Sequence, residues 1–178
     1  MTNAMIRLVS GKEHKLCWGV GHGEADPDDE FGREGLGALV LILEAKNYIF
    51  SKQRILTEGI DAECEALLIV GPAQDFTVEE AATLEAYLQG GGSVFLLLSP
   101  HELSNLANVL LSHGAKLQND IVYEQSAYNL AIDAQEAAYL VYYEDHLAPH
   151  PITESLGGNI MLRFPVRSVQ PVADLLEH

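Results

Sequence analysis

Residues 66–98 read ALLIVGPAQDFTVEEAATLEAYLQGGGSVFLLL, and this stretch decides the fold. Ala66 to Val70 is an unbroken apolar run stopped by Gly71-Pro72, the pattern of a strand buried on both faces. Thr77-Val78-Glu79-Glu80 has the spacing of a capping box, in which the Thr77 hydroxyl accepts from the third helical N–H and Glu80 reaches back to the cap. The helix that follows runs to Gln89, Gly90-Gly91-Gly92 closes it, and Ser93 to Leu98 is a second buried strand. Two non-alternating strands joined by one helix pair parallel, with a right-handed crossover.

Upstream, Lys15 to Val20 is a first strand that ends in the turn-forming Gly21-His22-Gly23-Glu24 and an acidic segment, Asp26-Pro27-Asp28-Asp29-Glu30. Phe31 to Lys46 reads as a helix, apolar nearly all round at Leu36, Leu39, Val40, Leu41, Ile42 and Leu43, with Asn47 as its stop. A helix of that kind is expected to be covered on more than one side. A weaker strand at Tyr48 to Phe50 and an irregular link, Ile55 to Glu65, lead into the central stretch. Downstream, Ser99 reads as a helix cap, with Pro100 in the first turn and Glu102 completing a second box.

The expected architecture is α/β, a mostly parallel doubly wound sheet with helices on both faces. Beyond Gly114 the pattern loosens into strand-like pieces at Ile121 to Tyr123, Tyr139 to Tyr143 and Ile160 to Phe164, an irregular C-terminal β extension expected to extend or flank the sheet. Residues 1–13 read as a lead-in with a helix capped by Thr2, 14–170 as one domain and 171–178 as a tail. Leu176-Glu177-His178 reads as the stump of an expression tag, so further segments are expected outside these residues.

Composition removes several classes of function. With 48% apolar residues the 178-residue chain is too hydrophobic for intrinsic disorder. Its 26 acidic and 10 basic residues leave a formal charge of -16, which repels phosphate backbones and anionic lipid heads, so no nucleic acid and no direct membrane surface is expected as partner. Runs such as Leu36 to Leu43 fall far short of the roughly 20 residues that span a bilayer. Met1 to Ser10 does not read as a signal peptide. Cys17 and Cys64 permit at most one disulfide.

Catalytic chemistry finds little support. Ser99 stands at a strand-to-helix turn, but the glycine positions of a nucleophile elbow hold Leu97 and His101, and Pro100 has no N–H to offer an oxyanion. Glu63 and Glu65 disfavour a thiolate at Cys64, and Cys17 reads as a small buried residue in the first strand. Gly21-x-Gly23 is half of a dinucleotide fingerprint whose third glycine is missing, and the acids after it repel a pyrophosphate. The chain has no Cys-x-x-Cys or P-loop. Catalytic residues, metal and cofactor are all read as none.

In a doubly wound sheet, ligands sit outside the carboxyl ends of the strands where the strand order reverses. With an order of 2-1-3-4, that crevice is lined by His22, Gly23 and Glu24 after the first strand and by Gly71, Pro72 and Gln74 after the third. Ser99 and His101 lie at the same edge, and His150 is placed to reach it from the C-terminal segment. Arg163 and Arg167 are expected to pair with acids, and the C-terminal tyrosines to pack between strands.

Four pieces of the chain resemble a known family. They are Gly21-His22-Gly23-Glu24, Gly71-Pro72 with Thr77-x-x-Glu80, Gly91-Gly92 to Ser99-Pro100, and His150-Pro151-Ile152-Thr153 with Phe164-Pro165-x-Arg167-Ser168. Together they are similar to the GldG-like auxiliary domain of ABC-type transport systems, shared with gliding-motility proteins and an intraflagellar-transport subunit. That family usually has Asp-Pro where this chain has Ser99-Pro100.

The resemblance implies a flavodoxin-like or glutamine-amidotransferase-like sheet and transmembrane segments outside these residues. It also implies an extracytoplasmic position and work beside ABC transporter membrane subunits or another complex protein. The expected function is non-catalytic binding or scaffolding of a partner protein or a sugar-like ligand. The rival expectation is a hydrolase-like or metal-dependent enzyme using His22, Glu24 and His150.

Overall fold

The apolar runs at 14–19, 48–53, 66–70 and 94–97 form one sheet in the computed structural model, which describes residues 14–30, 32, 35–121, 140–142, 160–162 and 167–172. Strands β1 (His14–Gly19), β2 (Tyr48–Gln53), β3 (Ala66–Val70) and β4 (Val94–Leu97) lie in the order β2-β1-β3-β4, all neighbours parallel. From β1 the chain steps outward to β2, then returns across β1 to β3 and β4. Crossovers of one hand put the connections before and after that reversal on opposite faces.

The helices follow this rule. Leu36 and Val40, at the start and in the middle of α1 (Gly37–Glu44), pack against Trp18, Leu68 and Val70 on one face. On the other face lies a larger core of Cys17, Leu67, Ile69, Leu84, Leu106 and Val109. Its residues include Ile55 from α2 (Ile55–Glu58), Leu84 from α3 (Val78–Gln89) and Leu106 from α4 (Ser104–Ser112). Each fully buried side chain of this kind contributes roughly 1.5–3 kcal/mol relative to exposure. The doubly wound α/β expectation is met.

Several local expectations are corrected. The first helix starts at Gly37 rather than Phe31, because the acidic segment folds back first: the Asp29 carboxylate accepts from Gly32 N–H, and the Asp26 and Asp29 carbonyls accept from Leu36 and Gly37 N–H. A side chain at Gly35 has no room there, since its Cβ would run into the Asp29 carbonyl oxygen. Asn47 does stop the helix turn, with a left-handed φ of 75°. The irregular link contains the short helix α2.

The helix expected to start from Ser99 begins at Ser104, and its cap is Asp75, which lies in the loop after β3. Asp75 Oδ2 and Oδ1 accept from the N–H groups of Asn105 and Leu106 at 2.8 and 3.3 Å, and the Asn105 amide donates to the Phe76 carbonyl. A cap supplied across the fold satisfies the same orphan donors as a sequence-adjacent one.

Strand β4 was expected to be buried, but Phe95 and Leu97 are 54% and 49% exposed. The helix α1 was expected to be covered on more than one side, but Leu41 and Ile42 are 54% and 57% exposed. In the C-terminal third, β5 (Ala115–Leu117) pairs antiparallel with β8 (Val169–Pro171), and β6 (Leu140–Tyr142) with β7 (Ile160–Leu162). These pairs form two separate small sheets instead of widening the parallel one. The lead-in helix, the end of the tail, Tyr123 and Arg163 lie outside the described residues.

Cys17 and Cys64 form a disulfide with a Cα–Cα distance of 5.6 Å, tying β1 to the residues just before β3 within the larger core. Closing a loop of 47 residues restricts the unfolded chain by about 4 kcal/mol in the chain-entropy view. Replacing both with Ala should lower stability by about 2–4 kcal/mol, or roughly 4–16 °C in midpoint. Calorimetry of the oxidised protein checks this, and an unchanged midpoint would contradict a structural role for the bridge.

Candidate functional site

The loops after β1 and β3 meet at the point where the strand order reverses, and one imidazole occupies their junction. The peptide turns at Gly21 and Gly23, with φ of 132° and 78°, and swings His22 inward until the residue is 8% exposed. At Gly23 the turn passes so close to the neighbouring loop that a Cβ would lie 3.1 Å from that of Ala73. The His22 ring stacks on Phe76, centroids 4.3 Å apart. Its backbone carbonyl accepts from the N–H groups of Ala73 and Gln74 at 2.8 and 3.0 Å.

Both ring nitrogens face carboxylates. Nδ1 lies 3.2 Å from Glu24 Oε1, and Nε2 lies 3.0 Å from Glu80 Oε2. Glu24 Oε2 also accepts from the backbone N–H of His22 at 2.7 Å, which closes a tight ring around the turn. Glu80 is the far half of the capping box: its Oε2 accepts from Thr77 N–H at 2.9 Å while its own N–H donates to the Thr77 hydroxyl. One carboxylate thus caps α3 and holds the β1 loop. Both carboxylates are nearly buried, at 2% and 6% side-chain exposure.

Burial pushes the Glu80 carboxyl up, and the hydrogen bonds from Thr77 N–H and His22 more than offset it, leaving the group below the ordinary glutamate value.

The structure brings together six of the nine expected crevice residues, His22, Gly23, Glu24, Gly71, Pro72 and Gln74. Of these, His22 and Glu24 turn toward each other, and His22 also toward Glu80. Pro72 is buried, Gly71 N–H donates to the Leu97 carbonyl at 2.7 Å, and Gln74 is exposed at the rim. Ser99 is half-buried in the loop after β4, and His101 is exposed there. Arg167 donates to the His101 carbonyl, and its charge also helps to hold the Asp120 carboxyl below its ordinary value, after the hydrogen bonds that Asp120 accepts from the hydroxyl and N–H of Ser168. His150 lies outside the described residues.

Sequence reasoning missed Glu80, Phe76 and Asp75 as members of this region. The signal for Glu80 was the capping box itself, which fixes a carboxylate at the mouth of the helix beside the histidine loop. Both ring nitrogens of His22 are thus engaged by nearly buried carboxylates within the protein. Among the described residues, no group of three or more His, Cys, Asp or Glu is arranged to hold a metal ion.

The fold and this closed junction define a doubly wound α/β domain with a parallel four-stranded sheet. A family model described as an ABC-type uncharacterized transport system matches residues 15–166, and the chain belongs to that family. Among solved structures, the mmIFT52 N-terminal domain is similar, with 18% identity and a TM-score of 0.67 over 89% of this chain and 68% of that one. No curated protein matches the chain.

The depressed Glu80 carboxyl carries a pH signature. Its contribution to stability is complete above the unfolded glutamate value of about 4.3 and is lost as pH falls through its lower folded value. Glu80→Gln should therefore melt below wild type at neutral pH, and the deficit should shrink below about pH 4. Thermal unfolding from pH 7 to 3 tests this, and a deficit independent of pH would contradict the charged contact.

Proposed function

We propose that this domain is a non-catalytic, partner-binding part of an ABC transport auxiliary protein that works beside the transporter's membrane subunits, on the extracytoplasmic side. The carrying observation is the closed strand-end junction: where a doubly wound sheet would receive a ligand, His22, Glu24 and Glu80 bind one another. Membership in the transport family supplies the setting.

The Cys17–Cys64 disulfide supports the extracytoplasmic placement, because such bonds persist in oxidising compartments. Among the described residues no helix is long and apolar enough to cross a membrane, so any attachment made through a spanning helix would lie elsewhere. Gliding-motility complexes are one setting that fits this reading. A partner protein fits better than a sugar, since the junction holds its polar groups against each other instead of presenting them.

In membranes solubilised in mild detergent, the full-length protein should co-purify with the transporter's membrane subunits, and a variant lacking residues 15–166 should not. Co-purification unaffected by that deletion would contradict the proposal. A ligand at 100 times its dissociation constant adds about 2.7 kcal/mol of stability. Zinc and simple sugars should produce no such shift, whereas a sugar-dependent rise would make the domain a carbohydrate receptor.

A further inference from the structure

The turn 21–24 brings two glycines, one imidazole and one carboxylate into a single backbone loop. Gly21 and Gly23, with φ of 132° and 78°, are exposed, while His22 between them is buried. Turns of this kind aim backbone N–H groups at an anion, and the Gly-x-Gly of a dinucleotide fingerprint uses the same freedom to approach a pyrophosphate. In this chain the anion is already present. Glu24, two residues after His22, places Oε2 2.7 Å from the His22 N–H and Oε1 3.2 Å from His22 Nδ1. Two oxygens of one carboxylate thus meet two nitrogens of one residue, and the Glu24 side chain is 2% exposed.

Charge explains why the anion comes from within. A free anion would approach a chain of charge -16, whereas a carboxylate two residues along is present at high effective concentration. We propose that the turn 21–24 is a carboxylate-binding site that the protein occupies with its own Glu24, an autoinhibitory contact that keeps external carboxylates out of the strand-order reversal. The paired oxygens of a small carboxylate fit the two nitrogens, and a spherical anion such as chloride does not. This site goes beyond the partner-binding reading and stands whichever surface the partner uses. Trp18, the chain's only tryptophan, reports on it, because its indole N–H donates to the carbonyl of Ala25, the residue after Glu24, at 3.2 Å.

The experiment removes the internal carboxylate and offers formate in its place. Glu24→Ala should melt below wild type. Formate at about 100 mM, far above the millimolar effective concentrations of short flexible tethers, should restore at least about half of the lost midpoint. Chloride at the same ionic strength should not. In the 15N spectrum of this variant, the largest formate-induced shifts should fall on the His22 amide and the Trp18 indole. Wild type and Glu24→Gln, whose amide oxygen still fills the turn, should not respond. If Glu24→Ala is unfolded by itself, formate should refold it, read from the near-UV circular dichroism of Trp18.

Four results would each overturn the proposal: no response of Glu24→Ala to formate, restoration by chloride equal to that by formate, an equal formate response in wild type or Glu24→Gln, or shifts centred away from His22.

Discussion

The contact between His22 and Glu80 is the constraint on which the upper edge of the sheet depends. It joins the turn after β1 to the first turn of the helix after β3, across the position where the strand order reverses. Without it, the loops after β1 and β3 would lose the side-chain link across the reversal. With it, Phe76 is stacked beneath the imidazole, and Asp75, the residue before it, is placed to cap α4. This side-chain pair lies beside backbone bonds that join the same two loops, Ala73 and Gln74 N–H to the His22 carbonyl. A buried ionisable pair is kept at a cost in desolvation, which the Thr77 and Glu24 hydrogen bonds offset.

This arrangement changes the meaning of a familiar position. The reversal point of a doubly wound sheet is where ligands usually bind, because two loops part there and leave a crevice. Here the loops do not part: Ala73 and Gln74 N–H groups donate to the His22 carbonyl, and Ala25 N–H donates to the Val70 carbonyl. The apolar surface that would ordinarily be hidden lies instead on the side of the sheet that carries α1, with Leu41, Ile42, Phe95 and Leu97 exposed.

Much of the fold was legible because its signals are local. The apolar run 66–70, the Thr77 to Glu80 box and the glycines after Gln89 each specify their element without outside help. Elements whose ends are set from a distance were misread. Ser99-Pro100 carries good helix-start chemistry, but α4 begins at Ser104 because Asp75 reaches it from another loop. The start of α1 was likewise displaced by backbone bonds to Asp26 and Asp29. At the site, residue types on the two loops could be chosen from topology, and six of them do meet. That His22 turns inward to carboxylates, and does not face solvent, depends on side-chain directions that spacing alone does not carry.

Native-state hydrogen exchange at the Ala73 and Gln74 amides tests the closed junction most directly, since both donate to the His22 carbonyl. The account predicts that they exchange as slowly as amides of the central strand β3, through large-scale unfolding, and that His22→Ala releases them. Exchange at the rate of an open surface loop in the wild-type protein would contradict it, and would mean that the two strand ends part to form a crevice after all.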